Sequence, residues 1–362
     1  MPRDPSRSAR PHVIMLLALS LLGAWSADCS RASGPEWEIA NPLVPLPDPP
    51  LGIDSTFESL PDPPTPARVR LGRWLFYDAR LSADARVSCA TCHRPDQGFS
   101  EVERVSTGVH GQHGMRKSPA ILNLAWPAAR HFFWDGRADS LEAQALGPIV
   151  NPVEMGISPQ EMVATLEGIA SYRPYFAEAF GDGSITVERV VKAIADYERT
   201  RLAGNSAWDR WRRKGDERAV TDEAKRGHDL FFGRAACNQC HLGESLTDGR
   251  FHNLGVGWDP ATSAFADEGR YAVTKQDVDR GAFKTPTLRD VARHAPYLHD
   301  GSSKTLRDVV LLYNRGGNKN PWLSPKVQPL GLTDAEIDAL VAFMKALDSN
   351  LPVEEHLTAL PR

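Results

Sequence analysis

The pentapeptide Cys-x-x-Cys-His occurs twice in this chain. In such a motif the two thiols can form thioether bonds to the vinyl groups of a haem, and the histidine can ligate its iron. A thiol redox pair and half of a zinc site are the alternatives, but zinc would need CxxC pairs that converge on four ligands without a histidine after both. The motifs therefore predict two covalently attached haems c. The residues concerned are Cys89, Cys92 and His93 for the first haem, and Cys237, Cys240 and His241 for the second.

The N-terminus has the pattern of a signal peptide over residues 1–27. Three arginines precede an apolar run at residues 13–22, and small residues follow up to Ala27. The run is too short to span a bilayer comfortably, so we expect cleavage, no transmembrane span and a periplasmic protein. The fifth cysteine, Cys29, could carry a lipid anchor, but Asp28 before it does not suit the small residue that such processing prefers.

The rest of the chain divides into a leader and two similar halves. The proline-rich composition after the signal peptide predicts an extended segment that wraps or tethers. Similar short segments, Leu71–Phe76 and Arg226–Phe231, precede the two motifs and indicate an internal repeat. The predicted divisions are a leader at 28–67, an N-terminal haem domain at 68–210, a C-terminal haem domain at 211–350 and a tail at 351–362.

The regular segments have the patterns of helices. Ser158 and Thr333 each begin a capping box in front of an apolar run at helical spacing. Apolar residues between Val187 and Tyr197 also recur at helical spacing. No convincing run of alternating residues indicates a strand. The predicted fold class is all-α, with two cytochrome c-like helical domains that each bind one haem.

Charge and methionine content limit the possible functions. The chain has 42 Lys and Arg against 46 Asp and Glu, a net charge of −4, which argues against a nucleic-acid partner. A methionine ligand raises the potential of a haem, but no methionine lies between His241 and Met344, which we place on the core face of the last helix. The second haem is therefore predicted to lack methionine ligation. The residues left open as its sixth ligand are His252, Tyr271, His294, Tyr297, His299 and Tyr313.

Several further motifs stand in a characteristic order around the two haem motifs. Phe133–Ala138 is followed by Gln144, Pro148 and Glu154, and later come Phe283–Arg289 and Ala295–Gly301. Together these segments resemble the bacterial dihaem cytochrome c peroxidase superfamily, which includes the MauG-type enzymes. The resemblance covers roughly residues 68–350.

The resemblance implies unequal haems. The haem on His93 would react with hydrogen peroxide, with Gln144 and Glu154 as its distal pair. A carboxylate there can take a proton from peroxide and return it to the departing oxygen. Trp134 matches a tryptophan that lies between the two haems and relays electrons. The second haem would be ligated by His241 on one side.

Tyr313 is the most discriminating residue of this comparison. It stands fourteen positions after His299, where the peroxidases have their methionine ligand and the MauG-type enzymes have a tyrosine. The resemblance therefore implies that Tyr313 is the second ligand of the second haem iron. A phenolate is a hard anionic donor, and it would stabilise that iron in a high-valent state.

The chain also departs from the family pattern. Members bind calcium through an asparagine directly before a Ser-Pro pair, and here that residue is Lys117, so we expect the calcium site to be doubtful, although backbone carbonyls near His294 and Pro296 could still serve. His110 and His113 lie in the loop that holds a displaceable distal histidine in other members, with an offset of one residue. MauG has a surface tryptophan before its second haem motif, where this chain has Arg234, Ala235 and Ala236.

Three functions are compatible with these features. The leading hypothesis is a MauG-like or methanobactin-associated enzyme that uses peroxide to form a high-valent dihaem state and oxidises a Trp or Tyr of a secreted partner protein. The alternative enzyme is a cytochrome c peroxidase that takes electrons from a small cytochrome or cupredoxin. A non-enzymatic electron carrier would need no Gln144 and Glu154 pair. The tryptophans considered as relays are Trp208, Trp211, Trp258 and Trp322.

Overall fold

Short α-helices alternate with long connections in the computed structural model of this chain, which describes residues 34–126, 131–350, 352–354 and 356–362. The predicted signal peptide and Cys29 lie outside these residues. The helices are α1 (Glu36–Ala40), α2 (Pro66–Tyr77), α3 (Cys89–Cys92), α4 (Leu141–Val150), α5 (Pro159–Glu167), α6 (Arg173–Phe180), α7 (Val187–Arg199), α8 (Ala207–Lys214), α9 (Asp222–Phe232), α10 (Tyr271–Thr274), α11 (Leu306–Asn314) and α12 (Asp334–Lys345). Within the described ranges, no helix is both long and apolar enough to cross a membrane.

Serine and threonine side chains fix where many of these helices begin. The predicted capping boxes are confirmed: the Ser158 hydroxyl accepts from the Glu161 backbone N–H at the start of α5, and Thr333 does the same at the start of α12. The predicted helix after residue 186 is confirmed as α7, and its apolar face is buried. Local sequence signals therefore define these three helices.

The prediction of an exclusively helical fold is wrong in one region. Strands β1 (Phe251–Asn253) and β4 (Ala282–Lys284) form an antiparallel pair, and β2 (Trp258–Asp259) and β3 (Ala264–Phe265) form another. Strands of two or three residues are too short to show an alternating pattern, and β1 finds its partner some thirty residues later. Helices nevertheless dominate the architecture.

Two large hydrophobic cores, and a small cluster around Phe132 and Leu141, lie within the unit formed by Glu36–Arg362. The first core gathers residues of α2 and α4–α7, including Trp74, Phe176 and Ile194, and the second gathers residues of α9, α11 and α12, including Phe231 and Phe343. Each core lies beside one of the two haem motifs. The domain boundaries at residues 210 and 350 stay a prediction.

One glycine in each half allows two helices to approach closely. A Cβ atom on Gly72 of α2 would lie 1.8 Å from the Ala193 carbonyl oxygen of α7, and one on Gly227 of α9 would lie 1.9 Å from the Ala339 carbonyl oxygen of α12. Only a residue without a side chain fits such a crossing. Both glycines belong to the repeated segments that precede the haem motifs, so the internal repeat has a structural counterpart.

The predicted leader runs against the second half of the chain. The Glu244 carboxylate accepts hydrogen bonds from the backbone N–H groups of Asp54 (2.7 Å) and Ser55 (3.3 Å). Ile53 and Phe57 are buried, so the leader contributes apolar contacts as well as hydrogen bonds. These contacts attach the leader to the loop that follows the second haem motif.

Candidate functional site

The first haem motif forms a short helix that ends at a histidine with a fixed orientation. Cys89 and Cys92 are the first and last residues of α3, and His93 follows directly. The Nδ1 atom of His93 lies 3.1 Å from the Phe99 carbonyl oxygen. With Nδ1–H donating to this carbonyl, Nε2 is left unprotonated and free to ligate a metal. Burial lowers the pKa of the His93 imidazole to about 4, which keeps it in the neutral, ligating form.

The second motif repeats this arrangement. Cys237 begins a single turn of 3-10 helix, and the Nδ1 atom of His241 lies 3.0 Å from the Leu246 carbonyl oxygen. Burial again lowers the pKa of the histidine. Burial raises the pKa of the Cys237 and Cys92 thiols to about 12, so both are protonated at neutral pH. Zinc ligands and redox nucleophiles are thiolates, and these neutral thiols fit thioether attachment better.

A cavity beside the first motif brings together the predicted distal residues. This first cavity is lined by Cys89, Cys92 and His93 together with Gln144 and Glu154. Gln144 projects from α4, and its Oε1 atom is buried without a hydrogen-bond partner among the described residues. A buried amide oxygen without a partner is costly unless a ligand satisfies it. The cavity therefore fits a bound haem with a polar distal side.

Glu154 follows α4 and faces the same cavity with a perturbed carboxyl group. Its Oε1 atom accepts a hydrogen bond of 2.8 Å from the side-chain amide of Asn151. Burial raises the pKa of Glu154, while the Asn151 hydrogen bond and the charge of Arg137 lower it less strongly. A carboxylate with a raised pKa is a better proton acceptor near neutral pH than an ordinary one. These properties fit the acid–base role that the resemblance implies.

A second carboxyl in this cavity, Glu198, was not found from the sequence. It lies on α7, is almost fully buried, and its Oε2 atom has no hydrogen-bond partner among the described residues. Burial raises its pKa to about 8, so the group is mostly neutral at pH 7. Its position in the sequence could have indicated that this carboxyl is buried. Glu198 follows Val191 and Ile194 at helical spacing, on the face that the apolar residues of α7 occupy.

The second cavity holds most of the ligand candidates that the sequence left open. This second cavity is lined by His241 and by residues from α9, α11 and α12. Tyr271 and His294 do not line it. The candidates that do are His252, Tyr297, His299 and Tyr313.

The surroundings of these side chains separate His252 and His299, whose rings contact neighbouring side chains, from Tyr297 and Tyr313, whose hydroxyls have no hydrogen-bond partner in the described part of the chain. The Nε2 atom of His252 is 2.9 Å from Asp248 Oδ2, and the His299 ring stacks on Phe283 with 3.5 Å between centroids. Tyr313 projects from α11, and its hydroxyl has no hydrogen-bond partner in the described part of the chain. Burial and the neighbouring cysteines raise its pKa, so a free phenolate is disfavoured there without a compensating cation. A metal ion in the cavity would supply that compensation.

Met344 also lines the second cavity, which the sequence did not predict. It projects from α12 and packs within the second core, near Phe343 and Leu340. Its position on the core face of the last helix agrees with the sequence-based expectation. A substitution at this residue is therefore the natural comparison for substitutions at Tyr313.

Trp134 lies between the two haem cavities. It lines the second cavity and a central cavity, and the central cavity shares Ser118 with the first cavity. The indole Nε1–H donates to the Lys117 carbonyl oxygen at 2.8 Å, and the Lys117 backbone N–H donates to the His299 carbonyl oxygen at 2.8 Å. The backbone of Lys117 thus connects Trp134 to the segment that follows Phe283–Arg289.

Lys117 places an ammonium group at the predicted calcium position. The residue is buried, its Nζ donates to the Glu101 carbonyl oxygen, and it lines the central cavity together with His294 and Pro296. Burial lowers the pKa of Lys117 to about 8, so the amine remains largely charged at pH 7. A buried ammonium group at this position repels a second cation and so opposes calcium binding. These residues do not fit the metal.

The two loop histidines lie outside the first cavity. The side chain of His110 is 65% exposed, and its Nδ1 atom lies 3.9 Å from Asp84 Oδ2. The Nδ1 atom of His113 is 3.0 Å from the Thr107 hydroxyl, at the protein surface. The residues of this loop that line the cavity are Ser106, Thr107 and Gly108, and neither histidine is among them. The structure therefore brings neither histidine to the position opposite His93.

Comparison with known proteins agrees with this architecture. A family model described as di-haem cytochrome c peroxidase matches residues 66–218. The methylamine utilization protein MauG of Methylorubrum extorquens is 41% identical over 309 residues, which cover 84% of this chain and 85% of that protein. The cytochrome c551 peroxidase of Nitrosomonas europaea is 34% identical over 287 residues, which cover 78% of this chain and 80% of that protein.

A solved structure gives the same result. The crystal structure of a MauG-like protein associated with microbial copper homeostasis aligns with a TM-score of 0.72 and 30% identity, covering 88% of this chain and 95% of that one. The relatives carry both the MauG and the cytochrome c peroxidase names, and the family implies two haems c. This chain is a peroxide-acting oxidoreductase that belongs to the di-haem cytochrome c peroxidase family, of which MauG is a member.

Proposed function

We propose that this enzyme uses hydrogen peroxide to oxidise a Trp or Tyr side chain of a partner protein, as a MauG-like or methanobactin-associated type of dihaem enzyme. The observation that carries the proposal is the position of Tyr313, which shares a cavity with His241 and whose hydroxyl has no hydrogen-bond partner among the described residues. Tyrosine is the ligand that distinguishes this branch from the peroxidases. We infer that Tyr313 ligates the second haem iron opposite His241.

The residues of the first cavity would handle the protons of peroxide. The overall half-reaction is H2O2 + 2 H+ + 2 e− → 2 H2O, so one proton must move from the inner to the outer oxygen before the O–O bond breaks. Glu154, with its raised pKa, takes that proton and returns it. Gln144 orients the peroxide through its unpaired amide oxygen. The haem irons, when bound, would supply the site at which peroxide binds and would store the two oxidising equivalents.

The route between the two halves passes through Trp134. Its indole lies between the central and second cavities and is held by the hydrogen bond to the Lys117 carbonyl. An aromatic ring conducts an electron more readily than the saturated side chains that would otherwise fill this gap. Trp134 therefore carries electrons from the second haem to the first, and the partner protein supplies them.

The proposed location is the periplasm, because residues 1–27 have the pattern of a cleaved signal peptide. A partner protein must then be secreted as well. Periplasmic location also fits the covalent attachment of haem to both motifs. The acidic net charge makes a nucleic acid an unsuitable partner.

The second candidate function is that of a cytochrome c peroxidase, which would reduce peroxide with electrons from a small cytochrome or cupredoxin. The 34% identity to a cytochrome c551 peroxidase favours it. Met344 in the second cavity would be its natural high-potential ligand. The two functions differ in whether the fully oxidised protein reacts with peroxide.

The experiment is to add one equivalent of peroxide to the fully oxidised protein in the absence of any reductant. The proposed function predicts that the absorption and Mössbauer signals of both haems change together, and that a Tyr313→Met variant does not show the change at the second haem. A wild-type protein that reacts only after the second haem has been reduced contradicts the proposal and supports the peroxidase. A Met344→Leu variant is the matched control and should react like the wild type.

A further inference from the structure

A short basic surface stands out on an otherwise acidic protein. Residues 210–218 contain five basic and two acidic side chains, a local net charge of +3, whereas the whole chain has a net charge of −4. Arg212, Lys214 and Arg218 are exposed, and none of the three has an ion-pair partner among the described residues. Unpaired surface charge of one sign attracts partners of the opposite sign and accelerates their association. We call residues 207–218 the Trp211 surface.

The helix that carries this surface is held firmly against the second half of the protein. Helix α8 begins with a capping box between Ser206 and Asp209. Asp209 accepts a hydrogen bond of 2.6 Å from Arg289, and both side chains are almost completely buried. Arg289 also donates to the Glu244 carbonyl oxygen at 2.7 Å, in the loop that follows the second haem motif. The inner face of α8 is therefore fixed, and its basic residues face outward.

A row of aromatic rings leads from this surface to the histidine of the second haem motif. The centroid distances are 5.0 Å from Trp211 to His228, 4.7 Å from His228 to Phe232, 5.1 Å from Phe232 to Phe231 and 6.4 Å from Phe231 to His241. Phe231 also lines the second cavity. Rings in contact couple electronically better than saturated side chains, so this row is a route for electrons between surface and haem.

The outer end of the row has a proton acceptor. The Trp211 Nε1–H donates to both oxygens of Glu217, at 3.2 Å each. Lys225 holds the Glu217 carboxylate in place with a hydrogen bond of 2.7 Å. When Trp211 loses one electron toward the haem, its indole proton can move to Glu217. When an electron arrives from outside, the proton returns and the indole is restored.

We propose that the Trp211 surface docks an acidic partner protein and that Trp211 passes that partner's electrons to the second haem. The proposal rests on the proposed function, which requires two electrons for each peroxide. The partner gives up these electrons one at a time and releases two protons, while Trp211 is unchanged after each transfer. Charge complementarity selects the partner's docking site, and the aromatic row explains why docking at this face is productive.

The first test uses small redox probes of opposite charge and no peroxide. Reduced protein is oxidised in a stopped-flow instrument by ferricyanide, an anion, or by tris(phenanthroline)cobalt(III), a cation, while the second haem is monitored. The proposal predicts that the rate with ferricyanide falls about tenfold in an Arg212→Glu, Lys214→Glu variant and that the rate with the cobalt complex rises. An unchanged ferricyanide rate overturns it.

The matched control reverses two exposed arginines on the first half of the protein, Arg86→Glu and Arg173→Glu. This variant has the same net charge as the first and should retain the wild-type ferricyanide rate. Binding to phosphatidylglycerol vesicles tests whether the basic surface meets a membrane instead. Loss of vesicle binding in the Arg212→Glu, Lys214→Glu variant without a change in the ferricyanide rate contradicts the proposal.

The second test identifies the tryptophan through which electrons enter the protein. Oxidised protein is treated with peroxide without a partner, and tryptic peptides are analysed by mass spectrometry. Trp211 should gain oxygen before the other tryptophans, and a Trp211→Phe variant should lose this modification while retaining the aromatic row. Prior oxidation of Trp258 and Trp322, a half-buried pair with 6.0 Å between ring centroids, would mean that electrons enter the protein there and would overturn the proposal. If peroxide is not consumed at all, the proposed function fails. The experiment with ferricyanide and the cobalt complex still tests whether electrons pass through the Trp211 surface.

Discussion

Replacing Glu154 with glutamine removes the proposed proton carrier and little else. Glutamine has the same shape, and its amide oxygen can still accept the 2.8 Å hydrogen bond from Asn151. The lost function is proton transfer, for which a positioned side chain contributes about 10²- to 10⁴-fold. Each factor of ten corresponds to about 1.4 kcal/mol, so we expect the barrier to rise by about 3–5 kcal/mol. The rate of the first haem with peroxide should fall by that factor.

The rate of the reaction with peroxide should also depend on pH in a definite direction. The carboxylate is the form that accepts a proton, and burial raises its pKa above the usual value of 4.5. The wild-type rate should therefore decline as the pH falls through this raised pKa, and the Glu154→Gln rate should be flat over the same range. Stopped-flow absorbance at several pH values measures both.

The matched control is Glu142→Gln, on the helix α4 that precedes Glu154. Glu142 accepts from Arg199 at 2.9 Å and does not line the first cavity, so its replacement should leave the rate and its pH profile unchanged. A Glu154→Gln enzyme that retains more than about a third of the wild-type rate, with the same pH profile, would refute the assignment of the proton carrier.

Three further predictions concern stability and metal binding. In a Glu198→Gln variant, melting temperatures should exceed those of the wild type at pH 8, and the difference should shrink toward pH 5. Burial raises the pKa of Glu198 to about 8 in the folded protein, whereas the pKa in the unfolded chain is about 4.5. The wild type therefore loses stability as the pH rises between these two values. An equal difference in melting temperature at pH 5 and pH 8 would contradict this. Calorimetry should detect no calcium binding by the wild type. The Lys117→Asn variant should bind calcium, because the ammonium group that donates to the Glu101 carbonyl is removed. Calcium binding by the wild type would contradict this. Gly72→Ala should lower the free energy of unfolding by about 1–3 kcal/mol, because its Cβ would meet the Ala193 carbonyl oxygen at 1.8 Å, and Gly168→Ala, where the nearest such contact is 3.4 Å, serves as the control. Chemical denaturation that finds both glycine variants equally stable would disprove the close-contact explanation.

The sequence predicted the parts of the site that depend on local chemistry. The CxxCH motifs predict covalent attachment because the thiols and the histidine must be adjacent, and the carbonyl that orients each histidine follows within a few residues. The capping boxes of α5 and α12 are equally local. Such features need no knowledge of the tertiary fold.

Features that depend on distant contacts were missed. Strands β1 and β4 have three residues each and lie some thirty residues apart in the sequence. Neither segment has a sequence pattern that predicts this pairing. Glu198 reads as one polar residue at the end of an amphipathic helix, and only packing shows that its carboxyl faces the first cavity. The basic residues of the Trp211 surface are visible in the sequence, but the aromatic row behind them runs through α9 and becomes apparent only in three dimensions.

The ligand of the second haem iron decides the central claim. Resonance Raman spectroscopy of the haem-loaded protein, grown with ring-deuterated tyrosine, detects tyrosinate bound to iron by bands that shift on labelling. We predict these bands in the wild type and in Met344→Leu, and their loss in Tyr313→Phe. Their absence from the wild type, or a change of ligand in Met344→Leu with Tyr313 intact, would contradict the account.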